Sequence, residues 1–234
     1  MTVVVNPHIP LSSAVDRDTF LSLVQDVALE TQANEPRCLA YCWTKPVAEA
    51  DHSSDATALV QGLEVYADGN ALVVTHRSGT AYKRMREVVA SRALLSYPKG
   101  GVPTYRPAGG GFLTKPGVAE IVGPDEHFVV LKYTVRAGDA VARALKEERQ
   151  LAEELEGNEG VFAVFCFVPD GDSGEDEDKG EVSIALFIRL RGVSDYQGAV
   201  EESVGRFEER LSREGIEQTM FWEGHGFGFF RQQN

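Results

Sequence analysis

Basic charge is scarce in this chain of 234 residues: 23 lysines and arginines face 36 aspartates and glutamates, leaving a formal net charge of −13 and a pI of about 4.9. A surface that acidic repels phosphate backbones and anionic lipid, which argues against nucleic acid and membrane as partners. Cysteine is scarce too, with only Cys38, Cys42 and Cys166. An odd number without framework spacing excludes a disulfide scaffold, so buried free thiols are expected. No apolar run approaches the roughly 18 residues of a membrane span, and no charged-then-apolar leader opens the chain. The expectation is a soluble, reduced, cytoplasmic protein.

Several chemical signatures are missing as well. "AGGG" (Ala108–Gly111) lacks the Lys-Ser/Thr pair of a phosphate loop. No G-x-G-x-x-G follows a strand, and no G-x-S-x-G elbow appears. The histidines and cysteines show no metal-ligand spacing, so no metal is expected. The run "DGDSGEDEDKGE" (Asp170–Glu181) sets seven acids against one lysine. It lacks the frame of a calcium loop and reads as a solvated hairpin loop.

What is present is one order of elements, written twice. "TVVVNPHI" (Thr2–Ile9) reads as a strand. A helix follows over Ser13–Asn34, with Phe20, Val24, Val27 and Thr31 on one face and Asp16 or Asp18 as cap. "RCLAYCWTK" alternates, with Leu39, Tyr41 and Trp43 on one face and Cys38, Ala40 and Cys42 on the other. "LVQGLEVY" is another strand, and Asp68-Gly69 turns into a helix from about Asn70, broken near Ser78-Gly79 and then resumed. The second half repeats the plan. A strand at His127–Val135 leads to a helix capped by Asp139, two further strands, a helix capped by Ser194 or Asp195, and a last strand, "TMFWEGHGFGFF". Each half is β-α-β-β-α-β, the ferredoxin-like plan. The Gly/Pro-rich connector 96–124 divides an N-terminal subdomain, 1–124, from a C-terminal one, 125–234. It is long enough that part of it should pair as a strand.

Candidate chemistry sits in two places. His76 lies on the helical segment after the third strand, "LVQGLEVY", and has the pKa range of a general base near neutrality; a packed helix histidine is the plainer alternative. In the last strand, Phe221, Glu223, His225, Phe227 and Phe229 share one face. Glu223 and His225 point the same way, as an acid/base couple or a structural pair. The opposite face is stripped to glycine beyond Trp222, leaving room for close approach.

"EPRCLAY" (Glu35–Tyr41), "LEVYAD" (Leu63–Asp68), "AL" (Ala71-Leu72), "THRS" (Thr75–Ser78) and "AY" (Ala81-Tyr82) resemble the antibiotic biosynthesis monooxygenase (ABM) family of the dimeric α/β-barrel superfamily. They match its EPGC-like strand start, E-x-(W/Y)-x-D strand end and A-L-x-x-H-x-x-S-x-x-(F/Y) helix. Arg37 stands where the family has glycine. The second half matches by element order, "VRAGD" and "NEGVFAVF", but lacks the strand-end motif and the helix histidine, as a diverged copy would.

The resemblance implies an α+β fold in which two ferredoxin-like subdomains in tandem supply the antiparallel sheets of a barrel-like core. A monomer with an internal pseudo-dimer then becomes possible beside a homodimer. It also implies a cofactor-independent monooxygenase acting with O2 on an electron-rich aromatic small molecule of the anthrone or hydroquinone type, in secondary metabolism. A polyketide cyclase, isomerase or decarboxylase, or a binding protein without catalysis, would use the same pocket. His76, His225 and Glu223 are the catalytic candidates. Asn6, Tyr41, Trp43, Tyr66, Tyr82 and Trp222 are the substrate-binding ones, with Tyr41, Trp43 and Tyr66 expected on the barrel interior. No cofactor is expected: the place of the iron ligand in the heme-degrading branch falls near Met85 or Arg86.

Overall fold

A computed structural model describes residues 1–47, 58–95, 104–136, 138–170 and 180–232. Most of the connector's first part (96–103) and of the acidic run (171–179) therefore lie outside the described residues. The chain divides into two compact units, and neither is a contiguous half. Unit 1 holds Met1–Pro103, Ala119–Pro124 and Gly224–Asn234; unit 2 holds Thr104–Val118 and Asp125–Glu223.

In unit 1 the expected first strand is two short ones, β1 (Val3–Val5) and β2 (His8–Pro10). Pro7 has no N–H for a ladder, and its carbonyl instead accepts from the Gly62 N–H at 2.8 Å. Both pieces run antiparallel to β4 (Leu59–Tyr66). Helix α1 (Ala14–Asn34) is capped not by Asp16 or Asp18 but by Ser13, whose hydroxyl accepts from the Asp16 N–H and donates to its carboxylate. The Ser13 oxygen thus satisfies one of the free N–H groups at the start of the helix. Pro36 and β3 (Cys38–Pro46) follow.

β3 departs from the expected alternation. A register shift between Cys38 and Ala40 against β4 marks a bulge, so Cys38 shares a face with Tyr41 and Trp43. An extra residue reverses the side-chain phase on one side of it. After β4 come a π-helical turn (Ala71–Thr75), a 3₁₀ turn (His76–Ser78) and α2 (Thr80–Arg92). The core of this unit packs Phe20, Val24 and Val27 of α1 and Met85 and Val89 of α2 onto the face of the sheet that carries Tyr41, Trp43 and Tyr66. These three aromatics therefore line the helix-covered side rather than the opposite face, the correction to their expected place. Phe20 meets the Trp43 ring edge-on at 5.2 Å.

Unit 2 runs β5 (Thr104–Phe112), β6 (His127–Arg136), α3 (Asp139–Glu156), β7 (Val161–Pro169), β8 (Glu181–Leu190), α4 (Val193–Asp195), a π-helical turn (Tyr196–Val200) and α5 (Glu201–Arg213). Its strands pair antiparallel in the order β5-β7-β8-β6, with β5 drawn from the connector. Gly138 and Gly192 occupy the helix N-cap positions expected for Asp139 and for Ser194 or Asp195. Asp195 instead pairs with Arg191 at 2.6 Å.

The last strand, β9 (Glu217–Phe230), belongs to unit 2 up to Glu223 and to unit 1 from Gly224 onward. There it pairs with β3, from Ala40 opposite Phe230 to Pro46 opposite Gly224. The side stripped to glycine is what allows this: a Cβ at Gly228, whose φ is +140°, would collide with the Tyr41 carbonyl. Each unit is thus completed by a strand from beyond its own run of elements. No described helix is long and apolar enough to cross a membrane.

Candidate functional site

The site is assembled from unit 1 alone, where β3, β4 and the turn after β4 meet the end of α1. In the β3–β4 ladder Trp43 stands opposite Gly62 and Tyr41 opposite Glu64. A Cβ at position 62 would press on Pro7 at 2.8 Å and on the indole at 3.1 Å, so glycine lets Trp43 lie across the strand. Beyond β4, Asp68 accepts from the Ala71 N–H at 2.9 Å and is ion-paired with Arg37. Arg37 thus clasps the strand end. The π turn that follows, a feature frequent at functional sites, buries Ala71 and Leu72, leaves Val73 and Val74 exposed, and delivers His76 inward at 1% exposure.

His76 is held at one end of its imidazole. Its Nδ1 lies 3.2 Å from Glu35 Oε2 and 3.3 Å from Thr31 Oγ1. Glu35 follows α1 as its C-cap, its backbone N–H donating to Thr31 O, and its Oε1 accepts from the Thr31 hydroxyl at 3.1 Å. A carboxylate at Nδ1 favours the tautomer with the proton there, leaving the Nε2 lone pair free. Three tyrosines enclose the ring: Tyr82 at 5.0 Å, Tyr66 at 5.3 Å and Tyr41 at 5.5 Å between centroids.

A second carboxylate stands beside them. Glu64 is buried and accepts from the Tyr66 hydroxyl at 2.8 Å. Burial raises its pKa above the ordinary value, while His76 and the Tyr66 hydrogen bond pull it back. Burial, reinforced by Glu64, pushes the phenols of Tyr41 and Tyr66 well above their ordinary range, so both stay neutral donors. Among the described residues three buried polar atoms of this unit take no hydrogen bond: His76 Nε2, Trp43 Nε1 and Asn6 Oδ1. Asn6 is anchored through its other end, Nδ2 donating to Gly62 O at 2.7 Å.

The structure therefore brings together His76, Tyr41, Tyr66 and Tyr82, and sets Trp43 and Asn6 on either side of Gly62. Trp222 and Glu223 belong to unit 2, where Glu223 lies 3.9 Å from His127. His225 belongs to unit 1 and stands opposite Lys45 in the β9–β3 ladder. Met85 is a buried core residue of α2. Among the described residues no cluster of three or more His, Cys, Asp or Glu side chains is placed to hold a metal ion. Three members of the site were missed in the sequence: Thr31, read as helix packing, and Glu35 and Glu64. The signal for the two glutamates was in view, because both lie in stretches that carry the family resemblance, Glu35 at the start of "EPRCLAY" and Glu64 as the second residue of "LEVYAD".

No family model and no curated protein matches the chain. Solved structures do. A provisionally named monooxygenase from Lactobacillus acidophilus NCFM superposes with a TM-score of 0.61 at 12% identity, over 97% of this chain and 92% of its own. A second, from Fusobacterium nucleatum subsp. nucleatum ATCC 25586, gives 0.62 at 12% identity, over 100% and 94%. An anthrone oxidase-like protein gives 0.57 at 11%, over 98% and 91%. At such identities the likeness shows the fold: two ferredoxin-like units in tandem, of the dimeric α/β-barrel class. The resemblance to the ABM family stands at that level.

Proposed function

We propose that the chain is a cofactor-independent monooxygenase of electron-rich aromatic small molecules, with His76 as its base. The observation that supports this most is the Glu35–His76 pair, which leaves a buried Nε2 without a partner inside a ring of tyrosines. Neighbours of the same fold include proteins named for monooxygenation and anthrone oxidation.

In this reading His76 Nε2 takes a proton from the activated CH2 of an anthrone-type substrate. Glu35 offsets the imidazolium that forms. The Trp43 N–H donates to the substrate oxygen on which charge develops, and Asn6 Oδ1 accepts from a substrate hydroxyl. The carbanion reduces O2 and recombines with it to a peroxide anion, which the imidazolium protonates. Loss of the second C–H proton with O–O cleavage then gives the ketone and one water, so the substrate supplies every electron. Exclusion of water by the tyrosines keeps the anion from simple reprotonation.

His76 is 1% exposed, so substrate entry requires the tyrosine cage to open. Tyr82, half-buried on α2, is its outermost wall. That closure is the observation favouring the second reading, a binding protein in which His76 is a packed structural residue. Oxygen uptake by the purified protein with a panel of anthrones and hydroquinones tests the choice. Consumption of one O2 per substrate above the spontaneous rate supports the monooxygenase. Binding of the same compounds without uptake turns the assignment to a cyclase, isomerase or binding protein.

A further inference from the structure

Unit 2 carries a different kind of chemistry on the face of its sheet turned away from α3 and α5. The helix-covered face takes Leu131, Tyr133, Cys166 and Leu186 into the core. Lys132 points the other way. The register sets Lys132 opposite Ala185 and Ala185 opposite Phe167, with Val130, Phe187 and Phe165 in the neighbouring row. Aromatic rings fill this face. Phe165 and Phe167 lie 6.0 Å apart, Phe167 and Tyr105 5.3 Å, and Phe128 and Phe187 5.6 Å.

The Lys132 ammonium has no carboxylate and no hydrogen bond among the described residues. It lies 5.9 Å from the centroid of the Tyr105 ring, at the outer limit of a cation–π interaction. Lysines that serve only the fold are normally exposed or paired. A half-buried amine with neither has lost water without gaining a counter-ion. Burial accordingly pushes its pKa down to about 8, so a sizeable share is neutral and nucleophilic near neutral pH.

We propose that Lys132 is the anchoring amine of a second small-molecule site, within unit 2, that takes an aromatic aldehyde or ketone and holds it as an imine. The Nζ lone pair attacks the carbonyl carbon, and the C–N bond forms as the π pair moves to oxygen. Both Nζ hydrogens then leave with that oxygen as water, giving C=N with no change of oxidation state. The Tyr105 ring beside Nζ takes the aromatic part. An anionic ligand is the poorer fit, because the amine holds its own charge weakly.

The chain's seven lysines make the test tractable. The protein is incubated with 2-hydroxy-1-naphthaldehyde and cyanoborohydride, and the reduced adducts are mapped by peptide mass spectrometry across pH. At pH 7.5 the expected result is modification of Lys132 ~10-fold or more faster than exposed Lys45 or Lys146, since ordinary lysines there are almost wholly protonated. The rate should level off above pH 8, Lys132→Arg should lose the adduct, and His76→Ala should keep it. Labelling spread over the exposed lysines with Lys132 no faster overturns the proposal, as does a Lys132 rate still climbing at pH 10. The comparison among lysines is made within the unaltered protein, so it stands even where Lys132→Arg fails to fold.

Discussion

Glu35 Oε2 lies 3.2 Å from His76 Nδ1, joining two residues 41 positions apart at the buried end of α1. The contact decides which imidazole nitrogen keeps its lone pair, and so whether His76 can act as a base. In Glu35→Gln an amide replaces the carboxylate, and the imidazolium loses its counter-charge. Turnover is expected to fall by about 10²-fold or more with little change in KM. Steady-state kinetics check this; unchanged turnover would make the pair structural.

Tyr66→Phe removes the donor to Glu64 and leaves a buried carboxyl less satisfied. A loss of about 1–3 kcal/mol is expected. The Tyr66 hydrogen bond lowers the Glu64 pKa, so removing it raises that pKa further in the fold. The loss should therefore be smallest below the unfolded value of about 4.3 and grow as pH rises. Denaturant melts at acid and neutral pH measure it.

How much of this was legible before the fold was known differs from residue to residue. His76 and its three tyrosines stood in alternating or motif-bearing stretches, and the broken helix around Gly79 was visible because Gly79 leaves helical geometry at ψ 147°. The face of Cys38 was not legible. A bulge is a property of the β3–β4 pair, and no single strand shows it. Nor was the placement of Glu35, since a carboxylate after a helix reads as solvent-facing until the chain returns 41 residues later to bury it. The Glu223–His225 couple rested on strand periodicity. Glu223 also lies 3.9 Å from His127, a long-range pairing that no local spacing encodes.

Glu148 offers a test of unit 2. It is fully buried on α3, and neither carboxylate oxygen has a partner among the described residues. Burial raises its pKa well above the ordinary value. A carboxyl with a raised folded-state pKa contributes its full stability below the unfolded value and loses it as pH climbs towards the folded one. Glu148→Met should therefore stabilise, by about 1–3 kcal/mol, and more at pH 8 than at pH 5. Equal shifts in Tm at both values would contradict this.

Gly228→Ala places a Cβ against the Tyr41 carbonyl at a φ that L-residues rarely adopt. It should cost about 2–4 kcal/mol and loosen β9 from β3. Calorimetry reads the loss, and amide exchange along Ala40–Lys45 locates it.

The central claim is that His76, and not His225, removes the substrate proton. Oxygen uptake with an anthrone substrate, compared among the wild type, His76→Ala and His225→Ala at matched folded fraction, tests it most directly. The account predicts that His76→Ala loses about 10²–10⁴-fold in turnover while His225→Ala stays within a few-fold of the wild type. Full turnover in His76→Ala, or its loss only in His225→Ala, would contradict it.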